Sequence, residues 1–94
     1  MASLRTGRVG EPITVTSKQH SYFPKAFLWR GKRHTIQAVE ACSTTTRQHM
    51  FGAVQRHVFR VRTAEATYEL SQDIGRDTWQ LERVLGGSAR ARSR

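Results

Sequence analysis

A chain of 94 residues has room for one hydrophobic core, which excludes a second domain. Sixteen Lys and Arg against seven Asp and Glu give a formal charge of +9, a property that bears on partners rather than on fold. A single cysteine excludes an internal disulfide, and no stretch approaches the roughly 20 apolar residues of a membrane helix. We therefore expect a cytoplasmic protein with no membrane contact.

The two ends of the chain differ in composition from its middle. Residues 1–10 combine small and basic residues without periodicity, which predicts a flexible basic N-terminal arm. Residues 87–94 are rich in arginine and small residues, which predicts a disordered tail. Between them, residues 11–86 are expected to form a single antiparallel β domain.

The first three strands follow from short alternating segments. Ile13–Thr16 alternates apolar and polar residues and predicts the first strand. Ser17–Lys25 is polar and contains a proline, so a loop or wide turn is expected there. Ala26–Arg30 and His34–Val39 then predict a hairpin around Gly31, because glycine tolerates the positive φ of a tight reversal.

The segment Glu40–Gly52 has the weakest pattern in the chain. Its three consecutive threonines, residues 44–46, are β-branched and disfavour a helix. Arg47–Phe51 fits one helical turn, and a long loop closing over the sheet fits as well. We therefore expect either a single helical turn or a long loop in this segment.

The last third of the chain carries the clearest signal. His57–Arg62, Ala66–Leu70 and Thr78–Leu85 each alternate apolar and polar residues, as expected of strands with one buried face. Short polar links between them fit hairpin turns. Val84 and Leu85 cannot both continue the inward register, which predicts a bulge near Arg83.

These segments together predict an all-β fold. We expect a small antiparallel barrel or strongly curled sheet of about six strands, with at most one short helical turn. The inward positions of the strands define the predicted core: Ile13, Val15, Phe27, Trp29, Ile36, Ala38, Phe59, Val61, Tyr68, Leu70, Trp79 and Leu81.

Four stretches give the chain a resemblance to a known family: Phe27–Lys32, His57–Arg62, Tyr68–Leu70 and Trp79–Leu85. Over roughly residues 11–86 it resembles short bacterial all-β proteins of unassigned function, marked by a Phe-Leu-Trp-Arg-Gly hairpin and a Trp-x-Leu-x-Arg-Val-Leu ending. Similar domains occur at the end of some proteins that are related to the Y-family DNA polymerases. The resemblance therefore implies a setting in DNA repair or damage tolerance. The chain departs from the family pattern at Ile74–Asp77, where the turn is shifted. The resemblance supplies no catalytic residues.

No constellation of residues predicts catalysis, a metal site or a cofactor. The four histidines lie in different segments, and Cys42 with His49 is the nearest approach to a thiolate–imidazole pair or half a zinc site. The carboxylates form no pair that the pattern forces together, and cross-strand ion pairs explain Glu69 and Glu82. We expect a protein that is not an enzyme, although a site assembled from distant residues is a third reading.

Basic residues interleaved with aromatics form the remaining pattern. Alternation places Arg60 and Arg62 on the outer face of their strand, and further basic residues crowd the tip of the first hairpin. Arg56, Arg76 and Arg83 are candidates to extend that stripe. The predicted phosphate-binding residues are Arg30, Lys32, Arg33, Arg60, Arg62, Arg90, Arg92 and Arg94. The aromatic rings expected in loops, and so free to stack on bases, are Tyr22, Phe23 and Phe51.

The leading functional hypothesis is a non-enzymatic β module that binds nucleic acid through phosphates without strong sequence preference. The alternative is a protein-interaction or assembly module that uses an open strand edge and its basic face to meet an acidic protein partner. A solvated basic face that binds no specific partner would also explain the same residues. The oligomeric state does not follow from the sequence.

Overall fold

The computed structural model describes residues 6–20, 22–50 and 52–87, which form a closed antiparallel barrel. Strands pair in chain order and the last returns to the first, which confirms the predicted all-β fold. No helix occurs in these residues, and hence none that could span a membrane. The strands are β1 (Gly7–Gln19), β2 (Phe23–Trp29), β3 (Lys32–His49), β4 (Gly52–Thr63), β5 (Ala66–Asp73) and β6 (Thr78–Gly87).

The interior of the barrel contains most of the predicted alternating residues, together with Ala26, Ala66 and Val84. Eight of the twelve predicted core residues are buried: Phe27, Trp29, Phe59, Val61, Tyr68, Leu70, Trp79 and Leu81. Ile13, Val15 and Ile36 are partly buried and pack against them, and Ala38 is half-buried. Each large apolar side chain taken from water contributes about 1.5–3 kcal/mol, so this set is the main source of stability.

Aromatic rings connect strands that are distant in the ring. Phe59 of β4 stacks on Trp79 of β6, with ring centroids 5.5 Å apart. Tyr68 of β5 meets the edges or faces of Phe27 and Trp29 of β2 at 5.8 and 5.9 Å. Such offset and edge-to-face pairs contribute about 0.5–1.5 kcal/mol beyond their burial. The barrel is therefore filled with side chains and holds no channel along these contacts.

β6 contains the bulge expected near Arg83. Arg83 pairs with Glu69 and Leu81 with Leu70, so Glu82 is an extra residue with no partner of its own. A second shift leaves Leu85 unpaired in the same way. The shifts bury Leu81 and Val84 while leaving Leu85 36% exposed, which resolves the conflict between neighbouring apolar residues.

The expectation of a loop or helical turn at Glu40–Gly52 is wrong. β3 continues through His49 and pairs with β4 from Ile36 to the end, where His49 faces Gly52. The β-branched threonines favour this extended conformation. The apolar–polar alternation is missing because residues 41–48 are all exposed, so no buried face marks the strand.

Three other boundaries differ from expectation. β1 runs on to Gln19 and β2 starts at Phe23, so much of the expected loop is strand. β1 also begins at Gly7, and its first residues pair with β6, which places residues 7–10 of the expected arm in the barrel. Gly87 likewise belongs to β6. Thr6 is exposed and precedes β1, and residues 1–5 and 88–94 lie outside the described residues.

The β2–β3 connection is a two-residue turn. Trp29 pairs with Lys32, and the intervening Arg30 and Gly31 have φ angles of 53° and 77°. Positive φ at both central residues is the type I′ geometry that matches the twist of a hairpin. An added Cβ at Gly31 would meet nothing within 4 Å, so the glycine is required by backbone conformation alone.

Replacing Gly31 with alanine should lower the free energy of unfolding by about 1 kcal/mol, because alanine resists the left-handed region. Gly31→Asn is the matched control, since asparagine tolerates that conformation and should cost less. Urea denaturation of both variants gives the two values. Equal stabilities for Gly31→Ala and the unmodified protein would contradict the turn assignment.

Candidate nucleic-acid interface

Arg30, a predicted phosphate ligand, is engaged within the protein. Its Nε and Nη2 donate to Oε1 and Oε2 of Glu11 at 2.9 and 2.6 Å. Its guanidinium also lies 4.7 Å from the centre of the Trp29 ring, and the Trp29 Nε1 donates to the same carboxylate at 2.8 Å. Hydrogen bonds from Arg30, then from Trp29, lower the pKa of Glu11 to about 2. Arg30 therefore serves to hold the hairpin against β1.

Lys32 and Arg33 lie on the same hairpin in different environments. Lys32 Nζ is 3.3 Å from Oε2 of Glu65. The other oxygen of Glu65 is 3.4 Å from Nδ1 of the buried His34, a contact not aligned for a hydrogen bond. Burial lowers the pKa of His34, which favours its neutral form. Arg33 is exposed and forms no ion pair with any described residue.

Arg60 and Arg62 lie on the outer side of β4, as alternation predicts. Arg62 Nη1 donates to Oε2 of Glu40 at 2.9 Å. Arg60 is exposed and faces Ala41 on one side and Glu69 on the other, without an ion pair in the described part of the chain.

The stacking candidates are not free rings. Tyr22 and Phe23 are half-buried, and Tyr22 packs edge-on against His57 and Phe59 at 5.0 and 5.6 Å. The Tyr22 hydroxyl is also 3.3 Å from Sγ of Cys42. These rings close the end of the barrel interior. Phe51 lies outside the described residues, as do Arg90, Arg92 and Arg94.

The predicted basic residues thus form two separate groups. Arg30, Lys32 and Arg33 occupy the β2–β3 tip, where the first two are held by carboxylates. Arg60 and Arg62 belong to the outer face of β4. No single groove contains both groups among the cavities that the described residues form.

A different set of arginines does converge. A shallow groove of about 340 Å³ crosses the outside of the barrel from β3 over β4, β5 and β6 to β1. Each of four strands contributes one arginine to it: Arg8, Arg47, Arg56 and Arg83. We call these residues the arginine groove.

Most of the groove's positive charge has no carboxylate partner. Arg83 Nε is 3.1 Å from Oε1 of Glu69. Arg56 Nη1 donates to Oγ of Ser71 at 3.4 Å, and that hydroxyl donates in turn to Glu82. Arg8 and Arg47 form no ion pair with residues 6–20, 22–50 or 52–87. Four cations therefore face two carboxylates in one depression.

The sequence did not predict Arg8 and Arg47 as site residues, because both lie outside the strands that it predicts. Arg8 was assigned to the arm, and Arg47 to a loop or helical turn. Strand pairing places Arg8 opposite Arg83 and Arg47 opposite Val54, so both side chains join the outer face. Thr45 and Arg47 are two residues apart, as are Arg56 and Val58 on the facing strand. This spacing was the signal that both pairs lie on one face of the sheet.

The described residues form no metal centre: no three His, Cys, Asp or Glu side chains come together there in a way that could hold an ion. Cys42 and its neighbours on β3 are exposed, and the thiol contacts the Tyr22 hydroxyl.

The sequence matches the family described as "Domain of unknown function (DUF6504)" over residues 2–85. Because this match covers nearly the whole chain, the protein belongs to that uncharacterised domain family. Neither a functionally curated protein nor a solved structure matches it.

The Glu11–Arg30 pair should make stability sensitive to acid. The pKa of Glu11 is about 2 in the fold and 4.5 without its partners, so the contribution is complete above 4.5. This contribution is lost as the pH falls from 4.5 towards 2, where the folded state binds fewer protons than the unfolded state. Glu11→Gln should lower stability at pH 7 and flatten the acid limb of a urea-denaturation series.

The partner variant controls for this result. In an Arg30→Gln background, Glu11→Gln should have a much smaller effect, because the charge-assisted hydrogen bonds are already absent. An acid limb equally steep with and without Glu11 would contradict the role assigned to the pair.

Proposed function

We propose that this protein is a non-enzymatic β-barrel that binds nucleic acid through its phosphates, without strong sequence preference. The observation that carries the proposal is the arginine groove, in which four strands each place one guanidinium in a single depression. Phosphate neutralisation requires cations in reach of a regular backbone, and strands hold them at fixed separations.

The chemistry of the groove favours phosphate over a carboxylate ligand of one fixed shape. A guanidinium presents several donors in a planar fork and keeps its charge at all working pH values. Arg8 and Arg47 have no competing ion pair among described residues, so neither must leave a carboxylate before binding. Arg60 and Arg62 lie further along the outer face of β4 and extend the basic surface.

The described residues of the groove offer no ring that could read bases. The half-buried rings of Tyr22 and Phe23 contact the core, and the groove contains Val58 and polar side chains but no aromatic ring. Recognition through phosphates alone agrees with weak sequence preference. We further propose that the C-terminal arginines add to the attraction, and that the protein works in the cytoplasm of a bacterium, in DNA repair or damage tolerance, as the family resemblance implies.

The test is a salt series of fluorescence-anisotropy titrations with labelled single-stranded DNA, duplex DNA and RNA. Arg8→Gln with Arg56→Gln should weaken binding at least about tenfold at low salt, since two phosphate contacts are lost. The slope of log K against log salt should shrink by about 2, because each contact releases roughly one counterion.

The matched control is Arg33→Gln with Arg76→Gln. Both residues are exposed and lie outside the groove, and the pair of substitutions lowers the net charge by the same amount. Binding by the control should stay within about twofold of the unmodified protein. Equal losses in both variants, or no measurable binding to any of the three probes, would overturn the proposal.

A further inference from the structure

One edge of β3 is open over most of its length. β3 pairs with β2 only from Lys32 to Thr35, and from Ile36 onward its ladder joins β4 alone. No other backbone hydrogen bond in the described residues reaches this edge. The backbone donors and acceptors of residues 36–49 on that side are thus available to another strand.

The centre of this edge lacks the usual protection against pairing. Residues 41–46 contain no charge, proline or glycine, and three of them are threonines with high β propensity. Natural proteins commonly blunt exposed edges with lysine, proline, bulges or covering loops. An uncharged, exposed run of this kind is suited to a partner strand.

Charges at the two ends of this run select its partner. Glu40 precedes the uncharged segment and Arg47 follows it, and both side chains lie on the outer face. Antiparallel pairing with an identical strand, centred on Thr44, sets Arg47 of each copy opposite Ala41 of the other and beside its Glu40, whereas in-register parallel pairing sets like charges together. Arg62 contacts only Oε2 of Glu40, so Oε1 of Glu40 can accept a hydrogen bond from a second guanidinium.

We propose that the open edge of β3 pairs with the same edge of a second copy, in an antiparallel, two-fold symmetric dimer. Such an interface is isologous, because the same residues of both copies form it. Thr44 then lies across from Thr44 of the second copy and Thr45 across from Ser43, pairings that stabilise antiparallel sheets by about 0.2–1 kcal/mol each.

A cleft beside the edge supports the same register. Between the diverging β2 and β3 lies a cleft of about 620 Å³, lined on its apolar side by Phe23, Pro24, Ile36 and Val39. Met50 follows β3 directly and is 88% exposed, an unusual state for a large apolar side chain. The register that sets Ala41 opposite Arg47 sets Met50 of the second copy near Ala38, a residue of the cleft.

The dimer goes beyond the proposed function and does not require it. A two-fold axis perpendicular to the sheet leaves both outer faces on the same side. The two arginine grooves would therefore lie on one surface, in which Arg47 of each copy pairs with Glu40 of the other while Arg8 and Arg56 of both copies stay available to phosphate.

The test is the oligomeric state in high salt without nucleic acid, measured by sedimentation equilibrium over a concentration series. Ser43→Lys with Thr45→Lys places like charges across the two-fold axis and should raise the dimer dissociation constant at least about tenfold. Thr14→Lys with Thr16→Lys adds the same charge at exposed positions of β1 and should leave the dimer intact.

A second variant and a cross-link test the register. Met50→Asp alters an exposed side chain, so the monomer should keep its circular dichroism spectrum while dimerisation weakens. With Cys42→Ser, a single cysteine at position 44 should form an intermolecular disulfide on oxidation, and one at position 14 should not.

Several outcomes would overturn the dimer. They are a monomer at every concentration, a dimer indifferent to the β3 substitutions, and equal dissociation by the β1 control. Dissociation by Ser43→Lys with Thr45→Lys and persistence in Met50→Asp would contradict the proposed register. Binding of DNA or RNA by a monomer would leave the groove's function standing and remove the dimer alone.

Discussion

The stacked rings of Phe59 and Trp79, together with the buried Tyr68 that packs against Phe27 and Trp29, are the constraint on which the rest of the barrel depends. They come from β4, β6 and β5, and they fill the interior only if alternate residues of all three strands point the same way. Everything placed on the outside, including the arginine groove, inherits its position from that inner register. The outer face is thus as well defined as the core.

Strand length is the second determinant. β3 has 18 residues and β2 has 7, so β3 extends well beyond the strand with which it pairs at the hairpin. The excess creates the ribbon that carries Arg47, the cleft beside Phe23 and the open edge. The features available for binding therefore arise where the barrel is least symmetric.

The sequence predicted the six strands and most of the core because a buried face leaves a two-residue period, as in Phe59 and Val61. It failed at residues 40–48, where both faces of the strand are exposed to solvent and no period is imposed. The candidate site suffered for the same reason. Arg60 and Arg62 were placed on the correct face, but Arg8 and Arg47 lie on strand segments that only pairing reveals. Arg30 looked available because its partner Glu11 is 19 residues away in the chain.

The extra residue at Glu82 has a consequence for the length of β6. Strict alternation would put Glu82 and Arg83 on opposite sides, but the bulge directs both to the exterior, where Glu82 contacts Ser71 and Arg83 contacts Glu69. Deleting one of these two residues would leave Leu81 and Val84 two positions apart, so strict alternation would then turn both inward without a bulge. Such a deletion would instead remove one of two neighbouring outward side chains, and with it the contact of Glu82 with Ser71 or that of Arg83 with Glu69.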